Sequence, residues 1–392
     1  MKLLSHQEKY AKGYKDKAFL VHEGGTGKSV CASVWLKDGR DADALVICSK
    51  RILEKWKDTL KEWGTKATVL SKEQFKKIAI KKWSAVVVDE ADEFGSPLFT
   101  KNRSQLSSSL YNLIKIYPDI PILLATATPV RSTPWNLHTL LCFLGEYLNK
   151  EKWQNYFFTL EKRPYLSRPA WLPKSDWRKK IRPFLEKYAD IVLLKDCVGY
   201  LPAITEKIIN IPLKPFKSIE WEPMKAFVEE HRNEQLEKEK EIIEIGKQYR
   251  KVIVVAHYVQ QLESLNKVLS KYRETFMVHG GVKNQEEILK KANETDECYL
   301  CVQASLGVGF DADSFSCVVF ASMSYKVRDF MQMKYRVRRI NNLHPVVYNY
   351  LIGGRCDKQI YKTIQLGRDF VPSEWKINYP VFQKFEVIRK KI

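Results

Sequence analysis

Short apolar runs separated by amphipathic stretches recur along two parts of the chain. Between Lys17 and Pro129 the runs are AFLVH, ALVIC, AVVVDEAD and PILLATATP, with helical spacing following Lys28 and again up to Trp63. Such runs, bounded by turns and alternating with helical periodicity, predict a parallel sheet covered by helices on both faces. The alternation resumes as KVIVVAHY, a helix reaching Tyr272, TFMVHG, CYLCVQA, SCVVFAS and VVYNYLI, which predicts a second sheet of the same kind. The expected fold class is therefore α/β, with two doubly wound parallel-sheet domains in tandem.

Two segments break the rhythm. Trp135 to Leu201 is rich in aromatics and prolines, and NLHTLLCFLGEYL within it has helical spacing. It reads as a helical extension that decorates the first domain. From Trp221 to Gln248 the run EEHRNEQLEKEKEIIEIGKQ is dense in charge and places Glu234 one helical turn before Lys238, the favoured order for an ion pair. A run of this kind predicts a solvated helix. The expected boundaries are residues 1–150 for the first domain, 151–212 for the extension and linker, and 213–392 for the second domain.

Composition narrows the function. A length of 392 residues suits two domains, and 45% hydrophobic residues with 29% charged ones describe a folded protein. No apolar run approaches the roughly 18 residues that a membrane span needs. The start, MKLLSHQEKY, turns polar too soon for a secretory signal. A soluble protein inside a cell is expected, in the cytoplasm if the source is bacterial or phage, with a nuclear location left open. Lys and Arg total 66 against 46 Asp and Glu, a formal charge of +20. That balance points to a polyanionic partner, because phosphate contacts by Lys and Arg dominate nucleic-acid affinity. Of eight cysteines only Cys298 and Cys301 form a C-x-x-C, in an apolar stretch without a second pair, so they read as core residues and not as zinc ligands.

Two motifs carry chemistry. HEGGTGKS, residues 22–29, follows a predicted strand and precedes a predicted helix. A glycine-rich turn there presents backbone N–H groups to phosphate; the lysine reaches the β and γ phosphates and the hydroxyl holds magnesium. Gly24, Gly25, Thr26, Gly27, Lys28 and Ser29 are the expected ATP-binding residues, although the strict pattern has glycine where this chain has His22. AVVVDEAD, residues 85–92, ends a buried strand in adjacent carboxylates. Asp89 is the expected magnesium partner alongside Ser29, and Glu90 the base that orients the attacking water.

In order and spacing these motifs resemble superfamily 2 helicases, and in several details the Swi/Snf-type DNA translocases. The resemblance implies two RecA-like domains, with ATP and Mg2+ as cofactors. Gln7 matches the glutamine that reads adenine. LVICSKRILEKWKDTLKEW, residues 45–63, is similar to the segment that touches the nucleic-acid backbone, which implies contacts from Ser49 and Lys50. LLATATPV, residues 123–130, matches the coupling motif through Thr126 and Thr128, and the following PWNLHTLLCFLGEYL resembles the Swi/Snf helical continuation. In VQASLGVGFDA, residues 302–312, Ser305 matches a nucleic-acid contact, Gly309 a nucleotide contact, and Gly307 and Asp311 further family positions. QMKYRVRRI, residues 332–340, fits Q-x-x-x-R-x-x-R through Gln332, another coupling residue, and through Arg336 and Arg339, the implied catalytic arginines. A guanidinium fork stabilises charge that spreads over the γ-phosphoryl oxygens as the bond breaks.

There are departures. Asp92 makes the second motif DEAD, a form typical of RNA helicases, whereas Swi/Snf proteins commonly end it in His. Gln332 stands where RNA helicases usually have His, and Tyr335 where glycine is usual. The leading expectation is an ATP hydrolase that translocates on duplex, forked or branched DNA, with helicase or remodelling activity. It would act as a monomer, with a targeting protein as a further partner. An RNA helicase and a nucleic-acid-binding module with a decayed ATPase are the alternatives.

Overall fold

The computed structural model describes residues 2–99, 104–130, 133–146, 148–162, 169–197, 201–212, 223–306, 312–324, 326–338, 342, 344–367 and 386–388. The chain forms two compact units, built chiefly from Met1–Cys197 and Val198–Arg368.

In the first unit the elements run α1 (Ser5–Glu8), β1 (Lys17–His22), α2 (Lys28–Lys37), β2 (Ala44–Cys48), α3 (Leu53–Glu62), β3 (Thr68–Ser71), α4 (Lys72–Phe75), β4 (Ala85–Asp89), α5 (Gln105–Ile116) and β5 (Ile122–Thr126). They continue through α6 (Trp135–Phe143), α7 (Lys150–Phe157), β6 (Phe158–Glu161), β7 (Ala170–Pro173), α8 (Trp177–Tyr188) and β8 (Asp190–Val192). The main sheet has the order β3-β2-β4-β5-β1-β8 and every pairing in it is parallel, while β6 and β7 form a separate antiparallel hairpin.

The four central strands are buried throughout apart from Lys17 at the start of β1, because alternate residues serve opposite layers. Phe19, Val21, Val86, Val88, Ile122 and Leu124 pack with Leu110 and Leu113 of α5. Ala18, Leu20, Ala85, Val87, Leu123 and Ala125 pack with Trp35 of α2 and with Trp56 and Leu60 of α3. Each large side chain so buried contributes about 1.5–3 kcal/mol of transfer free energy.

The second unit runs β9 (Ile204–Asn210), α9 (Pro223–Gly246), β10 (Lys251–Ala256), α10 (Val259–Leu269), β11 (Thr275–Val278), α11 (Gln285–Glu294) and β12 (Cys298–Gln303). It ends with β13 (Cys317–Phe320), α12 (Val327–Val337), β14 (Val346–Ile352), α13 (Arg355–Gly367) and β15 (Glu386–Ile388). Its sheet, β11-β12-β10-β13-β14-β9-β15, is again wholly parallel. Both units are doubly wound parallel-sheet domains, and helices α7 and α8 belong to the first.

Residues 151–212, expected as a helical extension and linker, hold one strand of each main sheet besides the β6–β7 hairpin. Strand β8 pairs with β1 of the first sheet, and β9 pairs with β14 of the second. The boundary therefore falls near Cys197 and not at either end of a linker. DIV is very short and ITEKIIN carries Glu206 and Lys207 at its centre, so neither shows the apolar run that marks a central strand.

The charged helix is a correction. Helix α9 buries Ile242 and Ile245 against β10 and α10, and both Glu234 and Lys238 are fully buried. The pair at one-turn spacing forms at 2.8 Å, but inside the protein, where Lys238 also meets Asp357 of α13 at 2.8 Å. Cys298 and Cys301 are buried strand residues, as expected of core positions. Among the described residues no helix is long and apolar enough to cross a membrane.

Candidate nucleotide site

Parallel strands place the ends of β1, β4 and β5 on one edge of the first sheet. Asp89 pairs in register with Ala125, and Val21 with Thr126, so the glycine-rich loop and both adjoining motifs emerge at the same level. Ligands of open α/β sheets bind at this carboxyl edge.

The loop after β1 turns directly into α2. Gly25 has φ 87° and Gly27 has φ 80°, a left-handed backbone that glycine adopts without a Cβ clash. Gly27 is constrained twice, because a Cβ there would lie 2.5 Å from Nε2 of Gln7. Gln7 is buried: its Nε2 donates to the Thr26 carbonyl at 3.3 Å and its Oε1 accepts from the Leu4 N–H at 3.0 Å. The Thr26 hydroxyl donates to the Glu23 carbonyl at 2.8 Å, stiffening the loop from within. Nζ of Lys28 donates to the carbonyls of His22 at 3.0 Å and Glu23 at 3.2 Å. Gly24 and half-buried Ser29 complete the loop. The Glu23 side chain is buried and accepts from the Leu194 N–H at 2.8 Å, so the segment after β8 braces the loop from behind.

At the end of β4, Asp89 is buried and accepts from the indole N–H of Trp56 at 2.9 Å and from the Glu90 N–H at 2.9 Å. Glu90 sits at φ 50°, the only left-handed non-glycine residue among those described. Such strain costs of the order of 1–3 kcal/mol and persists where a function needs the geometry. Burial, followed by the nearby Asp92 and Asp89 carboxylates, pushes the Glu90 carboxyl up to about 7, opposed by the ammonium groups of Lys28 and Lys72. Lys72, itself buried, pairs with Glu93 at 2.9 Å. Asp92 accepts from the Thr126 hydroxyl at 2.9 Å, and that oxygen accepts from the Thr128 N–H at 3.0 Å. A hydrogen-bonded thread thus runs from the DEAD segment into the residues expected to couple hydrolysis to movement.

The donor set fits Mg·ATP. A glycine cradle in left-handed backbone, a lysine on the loop, a hydroxyl at its end and an oriented buried carboxylate supply phosphate and hard-cation contacts of the required kinds. Ser49 immediately precedes the short turn Lys50–Ile52 after β2 without a side-chain hydrogen bond to it; Lys50 is exposed and the Ser49 hydroxyl is buried. In the second unit Ser305 is exposed on the turn Ala304–Leu306 after β12, and Gln332 and Arg336 lie on α12, buried and half-buried respectively. Gly307, Gly309, Asp311 and Arg339 lie outside the described residues.

Three residues escape a reading of the motifs: Trp56 and Lys72 beside the carboxylates, and Asp190 of β8, which accepts from the Tyr10 hydroxyl and lies 2.9 Å from Nε2 of His22 at the start of the glycine loop. Trp56 falls within the quoted run after β2, where an indole among lysines is the available signal. Lys72 and Asp190 stand in segments with no motif.

Residues 234–341 match the family described as helicase conserved C-terminal domain, and this stretch carries the VIVVAHY, VQASLGVGFDA and QMKYRVRRI segments. No curated protein matches the chain in sequence. Among solved structures the chain is similar to the Sulfolobus solfataricus SWI2/SNF2 ATPase core in complex with dsDNA, at 14% identity and a TM-score of 0.43, over 95% of this chain and 92% of that one.

Proposed function

With its second unit matching the helicase C-terminal family, we propose that the chain is an ATP-hydrolysing motor of superfamily 2 that translocates on DNA. The observation that carries this reading is the convergence, at the carboxyl edge of one parallel sheet, of a glycine loop in left-handed backbone ending in Lys28 and of Asp89 with the strained Glu90 at the end of β4, two strands away. Such an arrangement suits attack of water on a terminal phosphoryl group.

In this reading Gln7 reads adenine and the backbone of Gly24–Gly27 cradles the phosphates. Lys28 draws charge from the β and γ oxygens. Ser29 and Asp89 would hold Mg2+, which supplies neutralisation of phosphate charge when bound. Trp56 fixes the rotamer of Asp89. Glu90 accepts a proton from the attacking water, and Asp92 passes the change to Thr126 and Thr128. Arg336 and Arg339 stabilise the developing γ-phosphoryl charge. Ser49, Lys50 and Ser305 touch the nucleic-acid backbone, supported by the charge of +20.

Steady-state hydrolysis without nucleic acid, and with duplex, forked and single-stranded DNA and RNA, tests the proposal. Stimulation by duplex or forked DNA is the expected result. Stimulation by RNA alone would replace DNA with RNA as the track, and absence of hydrolysis under every condition would leave a binding module. Arg339→Ala is expected to abolish turnover while nucleotide binding stays within a few-fold, because the arginine acts on the transition state; unchanged turnover removes it from that role. DNA affinity should fall steeply with salt, by about 10³–10⁵ between ~50 and ~200 mM if some 6–10 phosphates are contacted. A flat salt response would refute the backbone grip.

A further inference from the structure

His22, the residue that departs from the glycine-loop pattern, is completely buried and faces two partners from other elements. One ring nitrogen of His6, one of His22 and Sγ of Cys31 all lie within 4.8 Å of one another. The tautomers of both imidazoles are fixed by what they touch. Nε2 of His22 is 2.9 Å from Oδ2 of Asp190, and the Tyr10 hydroxyl donates to that same oxygen. A carboxylate held charged can only accept, so Nε2 of His22 carries the hydrogen and Nδ1 is a bare lone pair. Nε2 of His6 is 2.9 Å from the Thr26 carbonyl, which also only accepts, so Nδ1 of His6 is bare as well. Both Nδ1 atoms are buried without a hydrogen-bond partner.

We infer that His6, His22 and Cys31 form a zinc site, ligating through Nδ1, Nδ1 and Sγ, with water completing a tetrahedron. Two imidazoles and a thiolate suit a borderline-soft ion of this geometry. Asp190 and the Thr26 carbonyl stand behind the two rings as outer partners do in metal sites, orienting each ring and raising its basicity. Burial works against the Asp190 charge, yet hydrogen bonds from His22, Lys9 and Tyr10 outweigh it and hold the carboxyl well below its usual range. Burial also keeps His22 neutral, pushed down to about 4. The thiol, pushed up to about 12 by burial and then by Asp190, loses its proton to solvent as the ion binds. With Asp190 counted, the ion, the thiolate and the carboxylate sum to zero charge.

Ligands of one tetrahedral zinc lie roughly 3.5 Å apart, so closure asks for a shift of about an ångström, and His6 is the member free to make it, being half-buried on the short helix α1. Occupancy would tie that helix, and Gln7 with it, to both ends of the glycine loop. The site stands independently of the motor assignment.

Titration of the tag-free, nucleotide-free full chain with Co2+, followed by competition with Zn2+, tests this. One equivalent should give the visible bands of a four-coordinate ion together with a near-ultraviolet thiolate band, and Zn2+ should bleach both. Cys31→Ala should remove the thiolate band. Asp190→Asn should keep the bands but weaken affinity by about 10–100-fold. His6→Gln, at a half-exposed position that tolerates change, serves if either buried variant fails to fold, and should abolish tight binding. Absence of a thiolate band in the parent protein, its survival in Cys31→Ala, or unaltered affinity in His6→Gln would each overturn the site.

Discussion

Replacing Lys238 by alanine is expected to cost about 3–5 kcal/mol of stability. Its ammonium lies 2.8 Å from Glu234 and 2.8 Å from Asp357, and all three side chains are essentially without solvent exposure. Each carboxylate has a second tie to backbone: Glu234 accepts from the Gly354 N–H, and Asp357 from the Gly353 N–H at 3.1 Å. The triad therefore clamps α9 and α13 to the end of β14. Gly353 is required there, since a Cβ would sit 2.0 Å from the Glu234 carboxyl carbon. Removing the cation leaves two dry carboxylates facing each other, and burial already raises the Glu234 carboxyl above its usual range. Denaturant unfolding of the full chain measures the loss. Adding Glu234→Gln to Lys238→Ala should recover part of it, because the double variant buries one charge fewer. A single-variant loss under about 0.5 kcal/mol, the range of ordinary surface changes, would show that the triad is no clamp.

The triad also marks where the sequence is hard to read. Glu234 and Lys238 have the spacing of a surface ion pair, and nothing local distinguishes that from a buried one; the deciding partner, Asp357, is 119 residues away in the chain. Strands with continuous apolar runs, such as AVVVD and KVIVVA, are legible because burial on both faces leaves no polar positions. Strands β8 and β9 are not, since edge or late-sheet positions admit Asp190, Glu206 and Lys207. The glycine loop and the DEAD segment are legible because their chemistry demands particular residues at fixed spacing. Their supports are another matter. Trp56 and Asp190 could be replaced by other donors and acceptors without breaking a pattern, and only tertiary contact reveals what they hold. His22 appears from sequence as a defect in the glycine motif, whereas the fold gives it a carboxylate, a tyrosine and a cysteine for neighbours.

Glu90→Gln is expected to lower the turnover of ATP by about 10²–10⁴-fold, the usual contribution of a general base, with nucleotide binding retained. The amide keeps the size of the side chain and the left-handed backbone but cannot take a proton. In the parent protein the base works only when charged, so kcat/KM should fall tenfold for each unit of pH below about 7, the value to which burial and the neighbouring Asp92 and Asp89 push it. Stability should move the opposite way. The folded carboxyl titrates near 7 and the unfolded one near 4.5, so the folded state binds more protons between those values and loses stability as pH rises through that window. Glutamine carries no such penalty. The variant should therefore melt a few degrees above the parent at about pH 8 and level with it at about pH 5, where the parent carboxyl is protonated. Equal melting at both pH values, together with a flat rate profile across neutrality, would mean that Glu90 is an ordinary ionised carboxylate and that another group activates the water.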